Sequence, residues 1–301
     1  MRYIFYGLVP FFVLLAAILL SCSLGYILVQ NIGDTLPFRQ ILTRLTQIFL
    51  LLSIFPMMRY LRIDKVALGF PSWGAFLKQL PQGFGLGFIV LTPVFIVLSL
   101  LNINQINYKQ EWVVDLLVKN SIMYLLMALL ISVIEETLFR GMVLVGLKKK
   151  LPVQVAIFLT AIYYAGLHFL IIKTNLSVQD INFFSGFRLL GEAVSNLLNL
   201  NNLPAFFALL MVGIFLGVLR TQVTSSLGLC IGCHTCWVWQ IKMNKKFFNT
   251  DFSSEYHYLV SSYDGVIGPL VTGWLLVVVV GYLAYRQVSQ SKRKISISIN
   301  S

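Results

Sequence analysis

Apolar residues in this chain fall in long runs rather than in short alternating stripes. Crossing a hydrocarbon layer of ~30 Å takes about 20 apolar residues in a helix. Eight stretches approach that length: 8–28, 41–58, 83–101, 122–147, 153–172, 205–219, 226–241 and 266–285. Helices satisfy their backbone polar groups internally, as a bilayer demands. The pattern therefore predicts an all-α, polytopic membrane helix bundle of about eight transmembrane helices. The first three spans lie within residues 1–119, and a basic tail occupies 286–301. The sixth and seventh runs are short, and the fourth is long and contains charge. Residues 183–198 are mixed, with apolar positions at helical spacing, and predict a helix lying in the membrane interface. No internal repeat stands out.

Composition removes the alternatives. Hydrophobic residues make up 58% and charged residues 11%, with a mean hydropathy of +0.82. Soluble domains carry about 25% charged residues, so this chain cannot clothe a water-facing surface. A soluble enzyme, a disordered chain and a disulfide-rich secreted domain are excluded. The net charge of +12 fits basic cytoplasmic loops, and no aromatic-basic motif points to nucleic acid. With the N-terminus inside, the inner segments hold Arg2, Arg59, Arg62, Lys65, Lys78, Arg140, Lys148, Lys149, Lys150, Arg220, Arg286, Lys292, Arg293 and Lys294, 14 of the 23 basic residues. Both termini are expected in the cytoplasm, in a plasma-type membrane such as a bacterial inner membrane. Cys22 stands alone and Cys230, Cys233 and Cys236 cluster; none lies where a structural disulfide is expected. Leu19–Cys22 approaches a lipoprotein cleavage box, but the apolar run continues through Leu28, so the first helix is expected to be retained.

Charge inside the fourth run carries the chemistry. Glu135, Glu136 and Arg140 lie mid-helix, where each charge costs at least ~2.5–3.5 kcal/mol and marks function by default. Glu136 and Arg140 share a face at i,i+4 and can pair. Glu135 points elsewhere, available as a general base. At a rise of ~1.5 Å per residue, Glu135 lies ~20 Å, His168 ~24 Å and His234 ~15 Å from the inner ends of their runs, so the three meet near one level. The bland alternative is an ion cluster that locks helices. His257, between Tyr256 and Tyr258, reads as surface.

The ordered set EExxxR (Glu135 to Arg140), aromatic-xxx-His (Tyr164, His168) and a later His234 resembles the CAAX prenyl endopeptidase and bacteriocin-processing family, also called Abi or CPBP, of intramembrane glutamic proteases. The resemblance covers about residues 120–285 and implies a protease core there. It implies that Glu135 and His168 activate a water for attack on a peptide carbonyl. Glu136 and Arg140 would form the supporting pair, and His234 would stabilise the oxyanion. A membrane-associated or lipidated peptide is the implied substrate. Two positions depart from the family pattern. Tyr164 replaces the usual Phe, and Val238 replaces the usual Asn or Asp of His-xxx-Asn/Asp. Losing an oxyanion donor typically costs ~10²–10³ in turnover. Thr235, Trp239 and Gln240 are the nearest candidate replacements. Without one, the chain reads as a weak or inactive relative serving as a membrane scaffold or bacteriocin self-immunity protein. A transporter or proton relay also uses buried acids and histidines, but no paired halves are evident.

The family reading needs water and no cofactor, although Glu135, His168 and His234 are also a plausible zinc set by ligand type. No His-Glu-x-x-His occurs. Cys230-x-x-Cys233-His234 is a literal haem-attachment pattern. It lies within an apolar helix, which argues against attachment, and a fourth thiolate for an iron–sulfur cluster is missing.

Overall fold

The computed structural model describes residues 2–33, 36–110, 113–223 and 225–299. Helix α1 (Arg2–Ile32) is followed by α2 (Phe38–Leu61), the short α3 (Lys65–Leu68), α4 (Trp73–Leu100) and the strand β1 (Asn104–Ile106). Then come α5 (Val114–Glu136), a π-helical turn (Thr137–Val143) and α6 (Leu144–Lys148). The second half holds α7 (Val153–Leu167), α8 (Ser185–Leu197), α9 (Leu203–Gln222), α10 (Leu227–Phe247), β2 (Phe248–Thr250) and α11 (Pro269–Ile299). Residues 300–301 of the basic tail lie outside the described residues, and α11 carries its backbone as helix to Ile299.

Six helical segments among the described residues are long and apolar enough to cross a membrane: Ile4–Asn31, Phe38–Leu61, Lys65–Leu100, Val114–Lys148, Leu200–Gln222 and Pro269–Gln290. Two of the eight predicted runs fall outside this set. The run 153–172 is cut short, because α7 spans only 15 residues and ends at Leu167. The run 226–241 lies in α10, whose 21 residues include His234, Thr235, Gln240, Lys242 and Asn244 and are too polar to face lipid. That polarity is turned inward. Helix α10 is buried along most of its length, packed between α4, α5 and α9.

Glycine makes the tightest of these contacts. A Cβ on Gly83 of α4 would stand 2.2 Å from the Leu229 carbonyl oxygen, and one on Gly232 of α10 would stand 2.1 Å from that of Leu80. Gly83-xxx-Gly87 on α4 faces Gly228-xxx-Gly232 on α10, so the two backbones touch where lipid supplies no hydrophobic drive. Trp237 Nε1 then donates to the Gly87 carbonyl at 2.9 Å. The pairing of α7 with α9 works similarly, through Gly213 against Ala161 and Gly217 against Ile157.

Connections cluster at two ends of the bundle. At one end Lys149 Nζ donates to the carbonyls of Leu61 and Arg62. There Arg220 Nη2 also donates to Ala67 O at 2.9 Å. At the other end β1 and β2 pair antiparallel, Asn104 opposite Thr250. The mixed stretch 183–198 forms α8, which lies on α1 with Gly186 against Cys22 and Tyr26 edge-on to Phe183. Cys22 is buried, and α1 continues through it without interruption.

Candidate active site

The site is built where the end of α5, the end of α7 and the middle of α10 converge. Glu135 and Glu136 are the last residues of α5, and the chain then opens into the π-helical turn carrying Arg140. Such turns recur at functional sites. The sequence predicts one uninterrupted helix here and holds no signal for the turn.

Glu136 and Arg140 are fully buried and paired, Nη1 to Oε1 at 3.0 Å. The guanidinium lies over the face of Tyr164, 4.4 Å from the ring centroid, a geometry that offsets its desolvation. Glu136 Oε1 also faces His234 Nδ1 at 2.8 Å. Against a carboxylate already paired with Arg140, that nitrogen is the donor, so Nε2 of His234 is directed away from Glu136.

Helix α7 ends just before His168, which is a correction to the predicted mid-helix position. The chain beyond it is pinned by α8 instead. Glu192 accepts the N–H groups of Lys173 and Thr174 at 2.8 and 3.2 Å, and Asn196 Nδ2 donates to Ile171 O at 2.8 Å. His168 Nδ1 lies 2.8 Å from the Tyr164 carbonyl, one of the oxygens the helix end leaves unpaired. A carbonyl only accepts, so Nδ1 carries the hydrogen and a neutral ring presents its Nε2 lone pair.

Both Nε2 atoms face Glu135. Glu135 Oε2 lies 4.0 Å from that of His168 and 3.9 Å from that of His234. These separations exceed a direct hydrogen bond. Oε2 is buried with no hydrogen-bond partner. The side chains of Glu135 and His168 retain 26% and 21% exposure, whereas His234 keeps 5%. The three residues predicted to converge from separate helices are therefore adjacent, with Glu136, Arg140 and Tyr164 packed behind them. His257 is exposed and distant in role, at the 257–259 turn.

Two cavities meet at His168. One, of about 320 Å³, lies among α1, α2, α5 and α8 and reaches Glu135; its walls are mainly apolar, including Leu14, Ile18, Leu42 and Ile134. The other, of about 620 Å³, is lined by Tyr164, His168, His234, Val238, Tyr263, Asp264 and the lysines 242, 245 and 246. Sequence reasoning missed Tyr263 and Asp264, which arrive on a loop with no motif. At this loop burial raises the Asp264 carboxyl above its ordinary value, although the N–H groups of Val266 and Ile267 and the charge of Lys245 oppose the shift. Burial likewise pushes the Tyr263 hydroxyl up to about 12, with Asp264 and Glu135 adding to the effect.

None of the three candidate replacements for Val238 is among the residues lining the cavity at His234. Thr235 Oγ1 donates to Ile231 O at 2.7 Å, Trp239 Nε1 to Ser121 O at 3.2 Å, and Gln240 Nε2 to Thr92 Oγ1 at 3.0 Å. Their helical spacing from His234 turns them towards α4 and α5. Among the described residues no three of His, Cys, Asp and Glu form a group that could hold a metal ion. The thiols of Cys230, Cys233 and Cys236 are free and buried in the helix packing.

Residues 117–240 match the family model described as type II CAAX prenyl endopeptidase Rce1-like. The match contains all six site residues. It supports an integral multi-pass membrane protein with a CAAX-protease kind of function. No curated protein and no solved structure matches the chain.

Proposed function

We propose, from the match of residues 117–240 to the type II CAAX prenyl endopeptidase Rce1-like family model, that the protein is an intramembrane endopeptidase using a water activated by Glu135 and His168. The observation that carries this reading is the Glu135 Oε2 gap of 4.0 Å to His168 Nε2. A carboxylate oxygen and an imidazole lone pair are both acceptors, and a water donating to each bridges such a spacing. In the proposed reaction Glu135 removes one proton as the water oxygen bonds to the peptide carbonyl carbon. His234, held by Glu136 through Nδ1, stabilises the oxyanion. The proton taken by Glu135 then passes to the leaving nitrogen as the C–N bond breaks. The Glu136 carboxylate orients the imidazole as the acid of a triad does. The apolar cavity suits the lipid or apolar part of a membrane-anchored peptide, and the second cavity suits the peptide chain. No cofactor and no nucleic acid enters this scheme.

The test is cleavage of a lipid-modified peptide by purified protein, with Glu135→Ala and His168→Ala alongside. Turnover lost in both supports the proposal, and unchanged turnover in either overturns it. Chelation by EDTA is expected to leave the rate unchanged; a zinc site on Glu135, His168 and His234 would instead lose it.

Val238 favours a second reading, because it offers no polar atom to the cavity it lines. On that reading the protein is a weak or inactive relative that binds peptide as a scaffold or self-immunity factor. Glu135→Gln would then leave the phenotype intact while Arg140→Met removed it.

A further inference from the structure

A third cavity, of about 240 Å³, lies between α6, α3 and the end of α9. Its walls include Lys148, Lys149, Arg220 and Ala67, with no acidic residue among them. Among the described residues none of these three cations makes an ion pair. The acid on the neighbouring loop, Asp64, is spent as the N-cap of α3, accepting Ala67 N–H at 2.7 Å.

Arg220 is the central group. Only 8% of it is exposed, and its Nε is buried without a partner. One of its five N–H donors holds the Ala67 carbonyl. The guanidinium is pressed onto Gly69, where a Cβ would come within 2.6 Å of Nη2. Gly69 also has φ of +107°, so this position is closed to side chains by conformation and by the arginine together. Lys149 spends two donors on the Leu61 and Arg62 carbonyls at the end of α2 and keeps a third. Lys148 spends none that the structure records and is exposed at the rim. Arg220 and Lys149 are thus held at one concavity by backbone contacts, with Lys148 beside them, at a cost that a counter-anion would relieve.

We propose that this concavity binds a phosphate group, taken from a lipid headgroup or from free phosphate, between α6, the Gly69 turn and the end of α9. Phosphate matches the fork of a guanidinium flanked by two ammonium groups. Its binding would tie α3 and α9 to α6, which continues directly from the π-helical turn bearing Arg140.

The experiment uses the full chain. Thermal midpoints and retained phosphorus-containing adducts by native mass spectrometry are measured in two settings. In neutral detergent, inorganic phosphate is titrated against chloride of equal ionic strength. In nanodiscs, phosphatidylglycerol is compared with phosphatidylcholine alone. A saturable midpoint rise with a retained adduct is expected in at least one arm; the arm that responds identifies the source. Lys148→Gln, at an exposed position, should weaken it about tenfold, as loss of one charge-assisted contact does. Arg220→Gln, which removes the guanidinium fork, should weaken it further. The proposal is overturned by no response to either ligand, by a response that chloride reproduces, or by equal binding in Lys148→Gln. Should Arg220→Gln fail to fold, Lys148→Gln decides alone.

Discussion

Glu135 and Glu136 are adjacent in the chain and about 100° apart around the helix, and their surroundings differ accordingly. Glu136 is sealed against Arg140 and His234, while Glu135 keeps a face on a cavity. Glu135→Gln should therefore lower turnover about 10²–10⁴-fold, the usual worth of a general base, with thermal stability in detergent little changed. Glu136→Gln should instead destabilise, by about 3–5 kcal/mol, because it strands the buried Arg140 charge; denaturation of the purified variant measures this. At this scale the sequence was legible where chemistry is expensive. Charges and imidazoles inside apolar runs marked Glu135, Glu136, Arg140, His168 and His234, which lie together in the structure, whereas Tyr164 was marked only by the family resemblance. It was illegible for Tyr263 and Asp264, ordinary loop residues brought to the cavity only by tertiary folding.

Elements were read less evenly. Long apolar runs located α1, α2, α4, α5, α9 and α11, because a bilayer imposes length and composition directly. Helix α10 reads as a weak span for a physical reason: it faces protein on nearly every side, so it needs no lipid-facing hydropathy. Its informative signal is the pair of glycines four apart, matched by a pair on α4. The chain after α7 is held by hydrogen bonds to α8 at Ile171, Lys173 and Thr174, which no local pattern announces. Gly232→Ala should force α10 off the Leu80 carbonyl and cost about 1–3 kcal/mol, as overpacking does. Gly191→Ala, at a helical glycine with open space around it, is expected to be neutral or slightly stabilising in the same thermal assay.

For the whole molecule, the fold class followed from composition, whereas the number of helices able to span did not follow from counting runs. The same architecture makes a pH prediction. The Asp264 carboxyl is raised by burial, so the folded state holds its proton to higher pH than the unfolded chain does. Its contribution to stability is full below the ordinary carboxylate value and is lost as pH rises through the raised one. Asp264→Asn keeps an acceptor for Val266 and Ile267 without the charge, and should flatten the thermal midpoint against pH across that window. A midpoint profile identical to wild type would contradict this.

The account rests on water, not an enzyme side chain, as the attacking group. First-turnover cleavage of a lipid-modified peptide in ¹⁸O-labelled water tests this most directly. One ¹⁸O atom in the newly formed product carboxylate, with Glu135 left unlabelled, is the predicted result. Product without label in that first turnover would contradict it, because the new oxygen would then have come from the protein.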